Sequence, residues 1–200
     1  MKIGALSRLA PLIILIAMWH VASSAGVLPQ SVLPPAADVV VALGKLLASG
    51  ELVGHTLASF ARAGAGFLVA AMGGVALGLL MARMPSIQRA VEPILLLVYP
   101  VPKPALIPLF MIWLGIGDFS KVAVIALACL LPVVVATYNG AKSVDDMLLW
   151  SARSRGTSEA RLLWRVVLPA ALPQIAAGVR TAIAIAVIVL VSSEFISAEK

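Results

Sequence analysis

Few residues in this sequence have the type and spacing that catalysis or metal binding requires. The sequence contains neither a GxxxxGK[ST] segment, which would cradle a nucleotide phosphate, nor an HExxH segment, which would bind zinc. Its two histidines, His20 and His55, have no second ligand at metal-binding spacing, and the single cysteine, Cys129, can form no intrachain disulfide. We therefore expect no catalytic residue, no metal site and no cofactor in this chain.

Lys103 is the most unusual charged residue, because it lies in an apolar segment rich in proline. A cation at membrane depth could attract an anionic solute, but pairing with nearby backbone carbonyls is the favoured interpretation. Two tyrosines could line a solute path or anchor segment ends at the membrane interface. The candidate pathway residues are Tyr99, Lys103, Pro104 and Tyr138.

The most charged segment, residues 142–174, is interpreted as two short helices. Each helix has a capping residue, a glycine separates the two, and prolines are expected to stop the second. The residues concerned are Ser143 or Asp145, Ser158, Gly156, Pro169 and Pro173. The two helices combine a basic surface of arginines with apolar leucines, which is typical of a docking surface for a cytoplasmic partner. A basic loop resting on anionic lipid explains the same pattern equally well.

The composition indicates an all-α bundle in a membrane. Apolar residues make up 62% of the 200 residues and charged residues only 12%, against roughly 25% in soluble domains. Such a chain has too few polar residues to cover a soluble exterior. The net charge of +6 does not indicate nucleic acid, because the basic residues lie between apolar runs with few aromatic residues nearby.

Crossing about 30 Å of hydrocarbon takes roughly 20 apolar helical residues, and we predict about five such spans. They cover residues 9–25, 63–82, 93–117, 122–141 and 175–193. The first is interpreted as an uncleaved anchor.

Three local patterns refine this division. Residues 38–61 mix charges with leucines at helical spacing, which predicts a helix lying at the interface. Gly74 and Gly78 have a GxxxG spacing that favours close helix contact. The prolines of residues 93–117 predict a kinked or interrupted span, which could form a pathway wall.

The distribution of basic residues predicts a cytoplasmic N-terminus, because short basic loops tend to stay in the cytoplasm. With that orientation, ten of the fifteen lysines and arginines lie on the cytoplasmic side. They are Lys2, Arg8, Arg83, Arg89, Lys142, Arg153, Arg155, Arg161, Arg165 and Arg180.

Two segments carry a resemblance to a known family. SARSRGTS at 151–158, followed by WRVVLPAALP at 164–173, resembles the EAA loop of ABC importer permeases. YPVPKPALIPLFMIWLGIG at 99–117, followed by SKV at 120–122, is similar to the nitrate, sulfonate and taurine branch. The similarity extends from about Leu12 to the end of the sequence. Trp150 stands where the family usually has the glutamate of the EAA motif.

The resemblance implies a single transmembrane permease domain over residues 1–200, with a cytoplasmic coupling loop at 142–174. The loop residues that would contact an ATPase subunit are Ser151, Ala152, Arg153, Gly156, Thr157, Arg161, Arg165 and Pro169. The implied partners are a cytoplasmic ABC ATPase subunit, a second permease copy, an extracytoplasmic solute-binding protein and membrane lipid, with no nucleic acid. The implied activity is import of a small anionic solute across the inner membrane, with ATP hydrolysis by the partner.

Two other hypotheses remain open at this point. Family members usually have six spans, so a truncated, non-transporting membrane fragment is one alternative. An ATP-independent transporter is the other, and it would favour more intramembrane acidic residues or an internal repeat. Sulfonates, taurine, nitrate and pyrimidine-type vitamin precursors all remain possible solutes.

Overall fold

A computed structural model describes residues 6–26 and 32–197, so Lys2, Pro29 and Lys200 lie outside the described residues. The chain divides into two compact units, Met1–Ala58 and Ser59–Lys200. All regular structure in the described residues is helical, as the composition predicts.

The first unit contains helices α1 (Leu6–Ser24) and α2 (Ala36–Ala48). The indole Nε1 of Trp19 donates a hydrogen bond of 3.0 Å to the carbonyl oxygen of Pro34, which ties the end of α1 to the start of α2. Helix α2 ends before Gly50, whose φ of +77° favours glycine. Helix α3 (Glu51–Arg83) begins directly afterwards. The prediction of one interfacial helix over residues 38–61 is therefore wrong, because Gly50 interrupts it.

The second unit is built on α3, α6 (Asp118–Lys142) and α9 (Leu168–Ser197). Glycines bring α3 and α6 close together, as the GxxxG spacing predicts. A Cβ placed on Gly74 would lie 2.8 Å from the Cβ of Val133, and one on Gly78 would lie 2.7 Å from the Cβ of Thr137. The core between α6 and α9 consists of small and β-branched side chains, including Ile125, Ala128, Cys129, Val133, Ala182, Ala186 and Val189.

The proline-rich segment forms a broken span, as predicted. Helix α4 (Pro85–Val98) is followed by a 3₁₀ turn (Lys103–Leu106) and helix α5 (Ile107–Leu114), with a bend of 95° between the two helical parts. The helix begins at Pro85, where proline suits the first turn, so the predicted start at Pro93 lies inside it.

Residues 142–174 contain helix α7 (Asp146–Ser154), the short helix α8 (Glu159–Leu162) and a π turn (Leu163–Val167). The carboxylate of Asp145 accepts a hydrogen bond of 2.8 Å from the amide of Met147, which confirms it as the N-cap of α7. Gly156 has a φ of +75°, which confirms the predicted glycine turn between the two helices. Ser158 precedes α8, although its hydroxyl makes no capping bond.

Pro169 and Pro173 do not stop the second helix, contrary to the prediction. Residues Glu159–Ser197 form one helical stretch of 39 residues that passes through the π turn. Pro169 lies in the first turn of α9, directly after the π turn, where a missing amide donor costs least, whereas Pro173 lies inside α9. The second loop helix and the last span are consequently one continuous element.

Three helices are long and apolar enough to cross a bilayer: Glu51–Arg83, Asp118–Lys142 and Glu159–Ser197. The bent pair Pro85–Val98 and Lys103–Leu114 counts as a fourth if it forms one span. The first predicted span, residues 9–25, coincides with the apolar part Leu9–Ser24 of α1, which is not counted among these spans. By length and composition, the described residues thus contain three or four spans where about five were predicted.

Candidate functional site

The turn between α7 and α8 is organised by one carboxylate. Glu159 accepts a hydrogen bond of 2.8 Å from Nε of Arg153 and one of 3.3 Å from Nη2 of Arg83. The amide of Gly156 donates to the carbonyl oxygen of Arg153 at 2.9 Å, and the amide of Thr157 donates to that of Ala152 at 3.2 Å. The hydrogen bond from Arg153 to Glu159 raises the pKa of Arg153 above its usual range. We call residues 151–159 the coupling turn.

Glu159 is a functional candidate that the sequence analysis missed. Trp150 stands where the resemblance to the EAA loop implies a glutamate. The structure supplies an acidic partner for Arg153 from the start of α8 instead. A glutamate in the first turn of a helix is also favoured by the helix dipole, which is a signal that the sequence contains.

The inner face of the loop helices is apolar and fixed. Leu149, Leu162 and Val167 are buried together with Leu79 of α3 and Ala141 of α6. Gly140 allows the end of α6 to approach α9, because a Cβ there would lie 2.8 Å from the Cβ of Gln174. The loop is therefore anchored to the spanning helices and is not a free tether.

The outer face of the loop helices combines arginines with large apolar side chains. Trp150 and Met147 are 70% and 76% exposed, whereas Trp164, which is 64% exposed, lines a cavity with Leu79 and Leu80 of α3. Of the predicted contact residues, Ala152 and Thr157 are half-buried and the others are exposed: Ser151, Arg153, Gly156, Arg161, Arg165 and Pro169. Tryptophan and arginine are the residues most enriched where proteins bind each other tightly. This surface suits a protein partner.

The predicted pathway residues fall into two groups. Tyr99 and Tyr138 line one cavity of about 180 Å³, together with Glu92 and Asn139. Lys103 and Pro104 belong to the 3₁₀ turn and are not among the residues that line this cavity.

The ammonium group of Lys103 is bonded to the backbone. Its Nζ donates to the carbonyl oxygens of Val98 at 2.7 Å, Tyr99 at 3.0 Å and Val101 at 2.7 Å. An ammonium has three donors, so all of them are used here. In this conformation Lys103 stabilises the break between α4 and the 3₁₀ turn, as the favoured interpretation anticipates.

Glu92 is a second residue that the sequence analysis did not single out. It lies one turn beyond Gln88, whose Nε2 donates to its carboxylate at 3.1 Å. The surface of the cavity is mainly apolar and includes Leu95 and Val135, although Glu92, the two tyrosines and Asn139 also border it.

No group of three or more histidine, cysteine, aspartate or glutamate residues that could hold a metal ion occurs within residues 6–26 and 32–197.

Comparison with known proteins assigns the chain to a family. The family described as "Binding-protein-dependent transport system inner membrane component" matches residues 74–200. The chain is 37% identical over 181 residues to the putative aliphatic sulfonates transport permease protein SsuC of Bacillus subtilis, covering 90% of the chain and 66% of that protein.

Two further relatives are also named as transport permease proteins. The taurine transport system permease protein TauC of Escherichia coli is 34% identical over 94% of the chain and 70% of its own length. The putative aliphatic sulfonates transport permease protein SsuC of Escherichia coli is 38% identical over 96% of the chain and 74% of its own length. The chain thus spans about two thirds to three quarters of these relatives, and it belongs to the family of binding-protein-dependent transport system inner membrane components.

Proposed function

We propose that the chain is the membrane-spanning permease subunit of an ATP-driven importer for small sulfonates of the aliphatic sulfonate or taurine class. The family and the names of the relatives support the transport role and the solute class. The observation that carries the proposal is the exposed arginine and tryptophan surface of the loop helices, which is continuous with a spanning helix.

The proposal includes a division of labour among partners. A cytoplasmic ABC ATPase subunit binds the coupling turn and hydrolyses ATP, so this chain itself is not an enzyme. An extracytoplasmic solute-binding protein delivers the solute, and a second copy of the chain completes the pathway. Residues 1–200 act as one permease domain in the inner membrane, with residues 142–174 as its coupling loop and the N-terminus in the cytoplasm.

The coupling mechanism follows from the continuity of the last helix. Glu159 lies in the coupling turn, and the helical stretch that begins there runs without a break to Ser197. A displacement imposed on the turn by nucleotide binding is then passed along this helical stretch, in which the π turn and Pro173 are the points where it can bend. The buried contacts of Leu162 and Val167 extend the displacement to α3 and α6.

The pathway assignment is also part of this proposal. Tyr99 and Tyr138 contact the solute from the shared cavity, with Glu92 and Asn139 beside them. Lys103 and Pro104 act on the pathway through the shape of the broken span, since the Lys103 ammonium is already bonded to three carbonyl oxygens.

The proposal is tested by co-purification in detergent with the ATPase subunit. The test variant is Arg155→Glu, Arg161→Glu, because both side chains are exposed on the loop helices and the change reverses two charges. We expect it to retain at least tenfold less ATPase subunit than the native chain, since mismatched charges at an interface weaken binding strongly. Arg89→Glu is the matched control, because Arg89 is exposed on α4, outside the loop segment 142–174, and should keep native binding.

Equal retention by the loop variant and the Arg89→Glu control would contradict the docking assignment. In that case the alternative of a basic loop resting on anionic lipid would be favoured, and binding to vesicles containing phosphatidylglycerol would fall for the loop variant instead.

A further inference from the structure

Five polar residues meet at the end of the second unit that lies opposite the coupling turn. Glu194, near the end of α9, accepts hydrogen bonds from Nη1 of Arg62 at 2.6 Å, from Nζ of Lys121 at 2.8 Å and from the hydroxyl of Ser59 at 3.1 Å. Arg62 also bonds to Asp118 at 2.6 Å. We call Ser59, Arg62, Lys121 and Glu194 the Glu194 cluster; Asp118 lies at its edge and does not contact Glu194.

The cluster joins three helices through a single carboxylate. Ser59 and Arg62 belong to α3, Lys121 to α6 and Glu194 to α9. Asp118 bonds only to Arg62 among the described residues, and its side chain is 73% exposed. Removing Glu194 would remove these polar contacts of α9 with both partners, whereas removing Asp118 would leave them in place.

The charged side chains that form these bonds are largely buried. The side chain of Lys121 is 9% exposed, that of Arg62 20% and that of Glu194 34%. A charge in such surroundings is costly when its partner is absent, so the three groups strongly favour the arrangement in which they are paired. The paired arrangement requires the ends of α3, α6 and α9 to lie together.

One continuous helical stretch connects Glu194 to the coupling turn. It lies 35 residues after Glu159 in the helical stretch Glu159–Ser197, which corresponds to roughly 50 Å at 1.5 Å per residue. One end of this stretch is bonded to Arg153 and Arg83, and the other to Arg62 and Lys121. A tilt of α9 that begins at the coupling turn must strain or break the bonds at the far end.

We propose that Glu194 is a positioning residue of the transport cycle: its carboxylate holds the end of α9 against α3 and α6, and transport requires its bonds to Arg62 and Lys121 to open and re-form. This inference rests on the proposed function. It assigns the cluster the role of a latch between two conformations, with no contact to the solute.

The test uses the native chain reconstituted in proteoliposomes with its ATPase subunit and solute-binding protein, and taurine as the solute. Glu194→Gln keeps the shape of the side chain and removes its charge, which weakens the latch. We expect ATP hydrolysis without the binding protein to rise about fivefold, and taurine uptake per ATP to fall about tenfold, as expected for the loss of a charge-assisted hydrogen bond. Asp118→Asn is the matched control and should stay within about twofold of native on both measures.

Glu194→Asp serves as the conservative variant, because it keeps the charge but shortens the side chain by one methylene. We expect its uptake per ATP to lie between the native and Glu194→Gln values. The inference is overturned if Glu194→Gln keeps the native ratio of uptake to hydrolysis, or if both Glu194 variants merely fail to assemble, since that would mean a packing role. A native complex without ATP-dependent uptake of any sulfonate would instead refute the proposed function, so the two failures are distinguishable.

Discussion

The contact between α3 and α6 predicts that the same substitution changes the stability differently at two glycines of α3, Gly73 and Gly78. A Cβ on Gly78 would lie 2.7 Å from the Cβ of Thr137 and 2.8 Å from the carbonyl oxygen of Val134. A Cβ on Gly73 would meet only the flexible Cδ1 of Leu130, at 3.7 Å. Gly78→Ala must therefore push the two helices apart, while Gly73→Ala fits the existing space.

The magnitudes follow from two competing effects. Glycine to alanine in a helix contributes up to about 1 kcal/mol of stability, and it does so at both positions. Overpacking a close contact costs typically 1–3 kcal/mol, and at Gly78 one clashing atom is a backbone oxygen that cannot rotate away. We expect Gly73→Ala to be stabilising by up to about 1 kcal/mol and Gly78→Ala to be less stable than Gly73→Ala by about 1–3 kcal/mol.

The assay is thermal unfolding in detergent, followed by the loss of the monodisperse peak in size-exclusion chromatography. For a chain of this size, about 1 kcal/mol corresponds to roughly 2–4 °C in Tm. Gly78→Ala should thus melt several degrees below Gly73→Ala. Equal or higher stability of Gly78→Ala would refute the close contact between α3 and α6.

Three further predictions concern single residues. Gly156→Ala should destabilise the coupling turn by roughly 1 kcal/mol, because the φ of +75° at Gly156 disfavours a side chain. Hydrogen exchange at the Thr157 amide should accelerate about fivefold. An unchanged exchange rate would contradict this conformation of the turn. Lys103→Met should leave three carbonyl oxygens without a donor and cost about 1–3 kcal/mol, seen as a lower Tm, whereas lost solute uptake at native Tm would favour a solute contact. Pro169→Ala should stabilise the continuous helix, because it removes an interior proline. A lower helix content in circular dichroism would contradict this prediction.

Local sequence signals predicted the parts of the fold that depend on backbone chemistry. The cap at Asp145, the turn at Gly156 and the interruption of the proline-rich span all follow from hydrogen-bonding capacity or allowed φ values, which each residue carries with it. The close approach at Gly74 and Gly78 followed from spacing alone.

Features that depend on neighbouring segments were not predictable in this way. Proline normally breaks a helix, but the helix continues through Pro169 and Pro173, and no local sequence pattern predicts the π turn before Pro169. The pairing of Glu159 with Arg83, 76 residues earlier, requires knowledge of which helix ends meet. The same applies to the approach of Glu194 to Arg62 and Lys121, because three distant segments form that cluster.

The burial of Cys129 has a practical consequence for experiments on conformational change. Its thiol is fully buried between α6 and α9 and donates to the carbonyl oxygen of Ala182 at 3.3 Å. Since this is the sole cysteine of the sequence, maleimide dyes or nitroxide spin labels should react with an engineered surface cysteine and leave the native thiol untouched. Distances between labelled helix ends can then be followed through the ATP cycle without first replacing a core residue.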